Sequence, residues 1–214
     1  MTPHPSDLIS QPLALPRRTT GETVRRPITS LPASVGAPQT LDAELAERYA
    51  LLNRLGVPTT ESEEFDELAR AMAEAAGFLY GFVNLFLAQQ TFVGLHQPAP
   101  GSGYAIVGRT MSLDHGWCPE VMHRKKALPL PDVHASPRFS GNAVVDAVGI
   151  RSYFGAPLIH ESGVVLGTVC VIDPDRRPLS AATRIRDIVI GNGAQVMEAM
   201  TRPPAGRFHT IHRP

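Results

Sequence analysis

The chain has 214 residues, 43% of them apolar and 19% charged, the proportions of an ordinary globular protein that can bury a core without disulfides or metals. Lys plus Arg and Asp plus Glu both number 20, so the formal net charge is zero and a whole-chain electrostatic grip on nucleic acid or anionic lipid is excluded. Two cysteines, Cys118 and Cys170, are too few for a disulfide scaffold or a four-cysteine zinc site, and no apolar run approaches the ~20 residues that span a bilayer.

Residues 1–40 read as a disordered arm. Seven of the 20 prolines fall there, from Pro3 to Pro38, and no apolar period survives for more than a few residues. The arm carries two basic pairs, Arg17-Arg18 and Arg25-Arg26. Its first residues lack a basic start followed by a long apolar block, so no secretory signal is expected and the compartment is read as cytoplasmic. Order is expected over 41–200, followed by a flexible basic tail over 201–214.

Leu41, Leu45, Tyr49, Leu52 and Leu55 recur at helical steps, and Gly56 and Pro58 end that helix. Thr60 to Glu63 fits a capping box, and Phe65, Leu68, Ala69, Met72 and Ala76 form the next stripe, closed by Gly77. The runs 78–87 and 91–96, joined across Gln89-Gln90, are too close for a crossover helix and predict a hairpin. A further short strand is expected within 104–111, and a helix over 114–126 with Trp117, Val121 and Met122 inward. The run ALPLPDV is extended, and 142–148 is a short helix. Two strands, 151–160 and 164–173, meet at Glu161-Ser162-Gly163 as a second hairpin. A last helix, 179–200, takes Ser180 as its N-cap, and Gly191 and Gly193 weaken it. Hairpins rather than strand–helix alternation predict an α+β fold, one antiparallel sheet with helices on it.

Two stretches, ALPLPDVHASPRF and GIRSYFGAPLIHESGVVLGTVCVIDPDRRPLS, closely resemble the second half of a GAF domain. Their shared pattern is an acidic residue after an extended segment, Arg-Phe, an apolar-Pro-Leu strand, a tight glycine turn, Leu-Gly-Thr and an Asp. The helix pair before the first strand and Gly116-Trp117-Cys118-Pro119 are also similar to that family. The resemblance implies a central antiparallel sheet of about six strands, helices on one face, and a helix and loop insertion covering a pocket on the other. It also implies the pocket residues: Trp117, Cys118, Val121, Asp132, Phe139, Tyr153, Phe154 and Thr168.

Each candidate has a plainer alternative. These side chains could fill a closed core. Cys118 near a helix start could be a reactive thiol or a buried core residue; Cys170, alternating within a strand, reads as core. His115 and Cys118 at a three-residue spacing lack a close third ligand, so no metal site is expected. Asp132 and His134 could act as an acid–base pair, or Asp132 could pair locally with Arg138. No Cys-x-x-Cys-His haem attachment pattern is present, and no cofactor is assigned.

Among GAF-like proteins, free methionine-(R)-sulfoxide reductase is an enzyme. The position where that family keeps its nucleophilic cysteine carries Ser140-Gly141-Asn142 here. A non-catalytic sensory module is therefore expected, binding an unidentified small molecule or a redox signal and passing it to a separate signalling protein. A homodimer through the terminal helices is one route. A scaffolding domain with a closed pocket is the alternative, and the reductase a more distant one. Neither nucleic acid nor membrane is an expected partner.

Overall fold

The computed structural model describes residues 37–202, with side chains from residue 42 onward. Of the arm expected over 1–40, only 37–40 fall within the described residues, and they are helical. The tail expected over 201–214 lies outside them, save for its first two residues. Helix α1 is Ala37–Leu55, so the helix begins earlier than Leu41; α2 is Glu63–Ala76. Thr60 takes no part in capping α2. Ser62 is the N-cap, without a side-chain bond, while its amide donates to the Val93 carbonyl at 2.9 Å. Tertiary pairing with a strand has replaced the local box. Gly77, left-handed at φ 74°, closes the helix.

The sheet has six strands: β1 (Tyr80–Phe86), β2 (Gln90–His96), β3 (Thr110–Met111), β4 (Leu128–Leu130), β5 (Ser152–Ile159) and β6 (Val165–Asp173). Their spatial order is β3-β2-β1-β6-β5-β4, and every pairing is antiparallel. The strand expected within 104–111 shrinks to two residues. Apart from one backbone bond, from the Phe92 amide to the Arg109 carbonyl at 2.8 Å, side chains hold the segment before it: Gln97 exchanges hydrogen bonds with Val107, Tyr80 Oη donates to the Ala105 carbonyl, and Arg109 forks onto Asp66 at 2.9 and 2.7 Å.

Strand alternation sends side chains to two separate cores. On one face, Val83, Leu85, Phe154, Leu158, Val169 and Val171 pack beneath α1, α2 and the last helix, α6 (Leu179–Thr201). Pro178 rather than Ser180 stands at the N-cap of α6. Helix α2 lies directly on the sheet, because a side chain at Gly81 or Gly94 would put its Cβ 2.3 Å from the carbonyl oxygen of Ala69 or Phe65. Gly193 has a comparable use: α6 turns it toward Val169, whose Cγ2 lies 3.2 Å from where a Cβ would stand. The glycine that weakens the helix locally thus lets it approach the sheet.

On the opposite face, Tyr80, Phe82, Phe92, Tyr153, Cys170 and Ile172 form the second core. Its cover is the insertion between β3 and β5. The insertion contains α3 (Cys118–Arg124), a short 3-10 turn at Val133–Ala135, α4 (Pro137–Ser140) and α5 (Ala143–Val148). Helix α3 begins four residues later than the expected 114, since Gly116 adopts φ 73° just before it.

Candidate functional site

The site lies between the second face of the sheet and this cover. Pairing register fixes its floor. Gly155, Cys170 and Phe82 face one another across β5, β6 and β1, and the next rung that alternation turns to this face is Pro157, Thr168 and Asn84. Gly155 carries no side chain, and Tyr153, two residues earlier on the same face, fills that space. A Cβ on Gly155 would lie 2.1 Å from the Tyr153 hydroxyl oxygen. The phenol thereby comes to rest with its oxygen 3.4 Å from Cys118 Sγ.

The roof is tied down by polar groups. Gln90, fully buried, accepts from Asn84 Nδ2 at 2.8 Å and donates to the carbonyls of Ser112 and His115 at 2.6 and 2.8 Å. This chain links the sheet to the loop leading into α3. Asn142 clasps Gly116 through both backbone groups and caps α5 at Val144. The Trp117 indole donates to the Phe139 carbonyl at 3.2 Å, and its ring packs against Tyr153 at 5.2 Å between centroids.

Between floor and roof is a cavity of about 120 Å³. Phe82, Phe92, Met111, Tyr153, Cys170 and Ile172 line it from the sheet, Val107 from the β2–β3 connection, and Trp117, Cys118, Val144 and Val148 from the cover. The lining is overwhelmingly apolar. Its polar groups are two thiols, one phenol and the Thr110 hydroxyl.

The thiols are adjacent. Cys118 Sγ and Cys170 Sγ lie 3.7 Å apart, both buried and neither in a disulfide. Ionisation is unequal across the pair. A hydrogen bond from Cys170 draws the Cys118 thiol down to about 7, against the cost of burial and with help from Thr168, Tyr153 and Asn84. The same interaction and burial push Cys170 well above the ordinary thiol range. Thr168 Oγ1 and Asn84 Oδ1 are buried with no hydrogen-bond partner. The second hydrogen of the Asn84 amide, beyond the one given to Gln90, and the Thr168 and Tyr153 hydroxyls are the groups that can turn a proton toward Cys118.

Of the eight pocket residues named from sequence, Trp117, Cys118 and Tyr153 meet at the cavity wall. Val121 is buried in the same core behind them, and Thr168 lies in the floor without reaching the wall. Phe139 is half-buried and contributes its carbonyl. Phe154 stands apart. As the neighbour of Tyr153 in a strand it points to the other face, edge-on to Phe78 at 5.7 Å. Asp132 is also elsewhere. It caps the 3-10 turn through the backbone amide of His134 and pairs with Arg151 at 3.1 Å, which holds its carboxyl below the usual range. The imidazole of His134 is not its partner, and Arg138 pairs with Glu120 instead. Among the described residues, no three His, Cys, Asp or Glu side chains are grouped to hold a metal.

Sequence reasoning missed Cys170 as a wall residue, and with it Phe82, Phe92 and Ile172. Alternation alone puts Thr168, Cys170 and Ile172 on one face. Which face looks onto the cavity depends on what packs there.

The GAF domain model matches residues 60–185, from just before the second helix into the last one. The chain belongs to the GAF domain family. This GAF domain is similar in structure to that of the phosphoenolpyruvate-protein phosphotransferase of Acinetobacter, with 14% identity and a TM-score of 0.50 over 74% of this chain and 92% of that one. It is also similar to the free methionine-R-sulfoxide reductase of Neisseria meningitidis, at 15% identity and TM-score 0.48 over 81% and 98%. The cyanobacteriochrome receptor PixJ gives 11% and 0.46 over 73% and 99%. At such identities the likeness is one of fold. No curated protein matches the chain. No helix of the described residues is long and apolar enough to cross a membrane.

Proposed function

We propose that this GAF domain is a non-catalytic sensory module that binds a small, mainly apolar molecule between its sheet and the α3–α5 cover. The observation that carries this reading is the cavity itself: about 120 Å³, walled by aromatic and aliphatic side chains, with few polar groups. That volume is close to the ~150 Å³ of engineered apolar cavities that stay dry and accept benzene. A single-ring aromatic or a short branched hydrocarbon is the guest of matching size. The candidate nucleophile position of the reductase resemblance holds Ser140-Gly141-Asn142, and Asn142 is occupied in clasping Gly116. This favours binding over turnover.

A guest that binds one arrangement of the cover more tightly than another shifts the balance between them. The face beyond the sheet carries α1 and α6, with Tyr49 and Ile190 partly exposed and Leu179 83% exposed. These helices are the proposed contact for a separate signalling protein or for a second copy of the chain, within the cytoplasm.

Trp117 is the chain's one tryptophan and forms part of the cavity wall, so binding can be read directly. Titration with toluene should change its emission saturably and raise the melting temperature. Native mass spectrometry of the freshly purified protein should detect a retained small molecule. A flat titration together with a ligand-free mass would overturn the proposal in favour of a scaffolding domain with a closed core. Turnover of free methionine sulfoxide, abolished by Cys118→Ser, would overturn its non-catalytic part.

A further inference from the structure

We infer that Cys118 and Cys170 form a hydroperoxide-reactive dithiol, a covalent modification site on the cavity wall that closes to an intramolecular disulfide. The residues are 52 positions apart, one at the first turn of α3 and the other in the middle of β6, yet their sulfurs are 3.7 Å apart. Both line the cavity, which gives a two-oxygen oxidant ample room, since a water molecule's share of liquid volume is about 30 Å³. The surroundings assign the roles. Cys118 is the thiol that ionises first, with the Tyr153 hydroxyl 3.4 Å away and the unpartnered Thr168 hydroxyl nearby. Cys170 keeps its proton. One sulfur is therefore set to attack and the other to resolve.

The chemistry balances with a hydroperoxide as the oxidant. The Cys118 thiolate attacks the terminal oxygen, the O–O bond breaks, and an S–O bond forms. The departing alkoxide takes up a proton and leaves as an alcohol, or as water when the oxidant is hydrogen peroxide. Cys118 is now a sulfenic acid. The Cys170 sulfur then attacks the Cys118 sulfur. The S–O bond breaks, the S–S bond forms, and hydroxide departs as water with the proton from Cys170. Two thiols lose two electrons, and one peroxide gains them.

A disulfide spans about 2.05 Å, so the sulfurs must close by about 1.7 Å. Cys170 is held by ladders on both sides, paired to Phe82 and Gly155. The movement therefore falls to the start of α3, drawing Trp117 toward the sheet and narrowing the cavity. This site shares its cavity with the binding reading but requires no guest.

The test uses the full reduced chain, freed of reductant and treated with hydrogen peroxide, then unfolded and alkylated with iodoacetamide. The expected product is monomeric, lighter by two hydrogens, free of alkyl adducts, and restored to two adducts by dithiothreitol. Peptide mapping should join the Cys118 and Cys170 peptides. Cys170→Ala should stop at a sulfenic acid on Cys118, captured by dimedone, and Cys118→Ala should leave Cys170 unoxidised. Two alkyl adducts after peroxide, or a disulfide found only between chains, would each overturn the proposal. The wild-type measurements decide the matter even if a variant fails to fold. Toluene titration of reduced wild type separates the two proposals, because loss of guest binding leaves the dithiol chemistry intact and the converse also holds.

Discussion

The carboxamide of Asn142 and the backbone of Gly116 bind each other reciprocally: Asn142 Nδ2 donates to the Gly116 carbonyl at 2.7 Å, and the Gly116 amide donates to Asn142 Oδ1 at 3.1 Å. The residues lie 26 positions apart, at the entries to α5 and α3. One side chain thus caps one helix and sets the start of another. Asn142→Ala is expected to lower stability by about 2 kcal/mol, the combined loss of a cap and a half-buried polar clasp. The urea midpoint measures this. An unchanged midpoint would mean that the clasp contributes nothing.

The two glycines of α6 should respond differently to alanine. Gly191 has open space where a Cβ would stand, whereas Gly193 faces Val169 Cγ2 at 3.2 Å. Gly191→Ala should stabilise by up to about 1 kcal/mol through helix propensity. Gly193→Ala should gain clearly less, or lose, because the helix must back away from the sheet. Equal gains in thermal unfolding would contradict this packing.

Asp173 joins the end of β6 to the start of β1. Its carboxylate accepts from the Leu79 and Asp175 amides at 3.0 and 2.9 Å and lies 3.0 Å from Arg177, whose guanidinium sits 4.3 Å from the centre of the Phe78 ring. With Asp173 only 3% exposed, Asp173→Ala leaves two amides and a cation without their partner. A loss of about 3 kcal/mol is expected in denaturant unfolding. A loss below about 1 kcal/mol would show that water replaces the carboxylate.

The thiol pair gives stability a pH dependence with two signs. Cys118 titrates at about 7 in the folded chain, against an ordinary value of 9.0. Between those values the unfolded chain holds a proton that the folded chain has lost, so stability rises with pH. Cys170 is raised, as is Tyr153, so above about pH 9 the folded chain holds protons that the unfolded one loses, and stability falls. The reduced protein should be most stable near the ordinary thiol pKa. Urea midpoints across this range should show a maximum, and Cys118→Ser should abolish its rising limb. A flat rising limb in the wild type would refute the unequal ionisation.

Local pattern was enough to define the long helices and the two hairpins of this protein, but not the two-residue β3, the 3-10 turn or α4. Helical stripes, two close hairpins and glycine turns are short-range signals, and they specified an antiparallel α+β sheet before any contact was known. Motif spacing around Ala156-Pro157-Leu158 and Leu166-Gly167-Thr168 carried the family, because those residues answer to strand geometry that recurs wherever the fold does. Three of the cavity's wall residues, Trp117, Cys118 and Tyr153, followed from that likeness. The meeting of Cys118 with Cys170 did not. It depends on β6 pairing with both β1 and β5, on Gly155 making room for the Tyr153 phenol, and on Asn142 holding the start of α3 over the sheet. Phe154 and Asp132, expected at the site from the same likeness, lie elsewhere, one through strand alternation and the other through its pairing with Arg151. Sequence specifies what each segment prefers on its own. Register, face and distance between segments are settled only when they pack, since each side chain's partner is chosen by the others already in place.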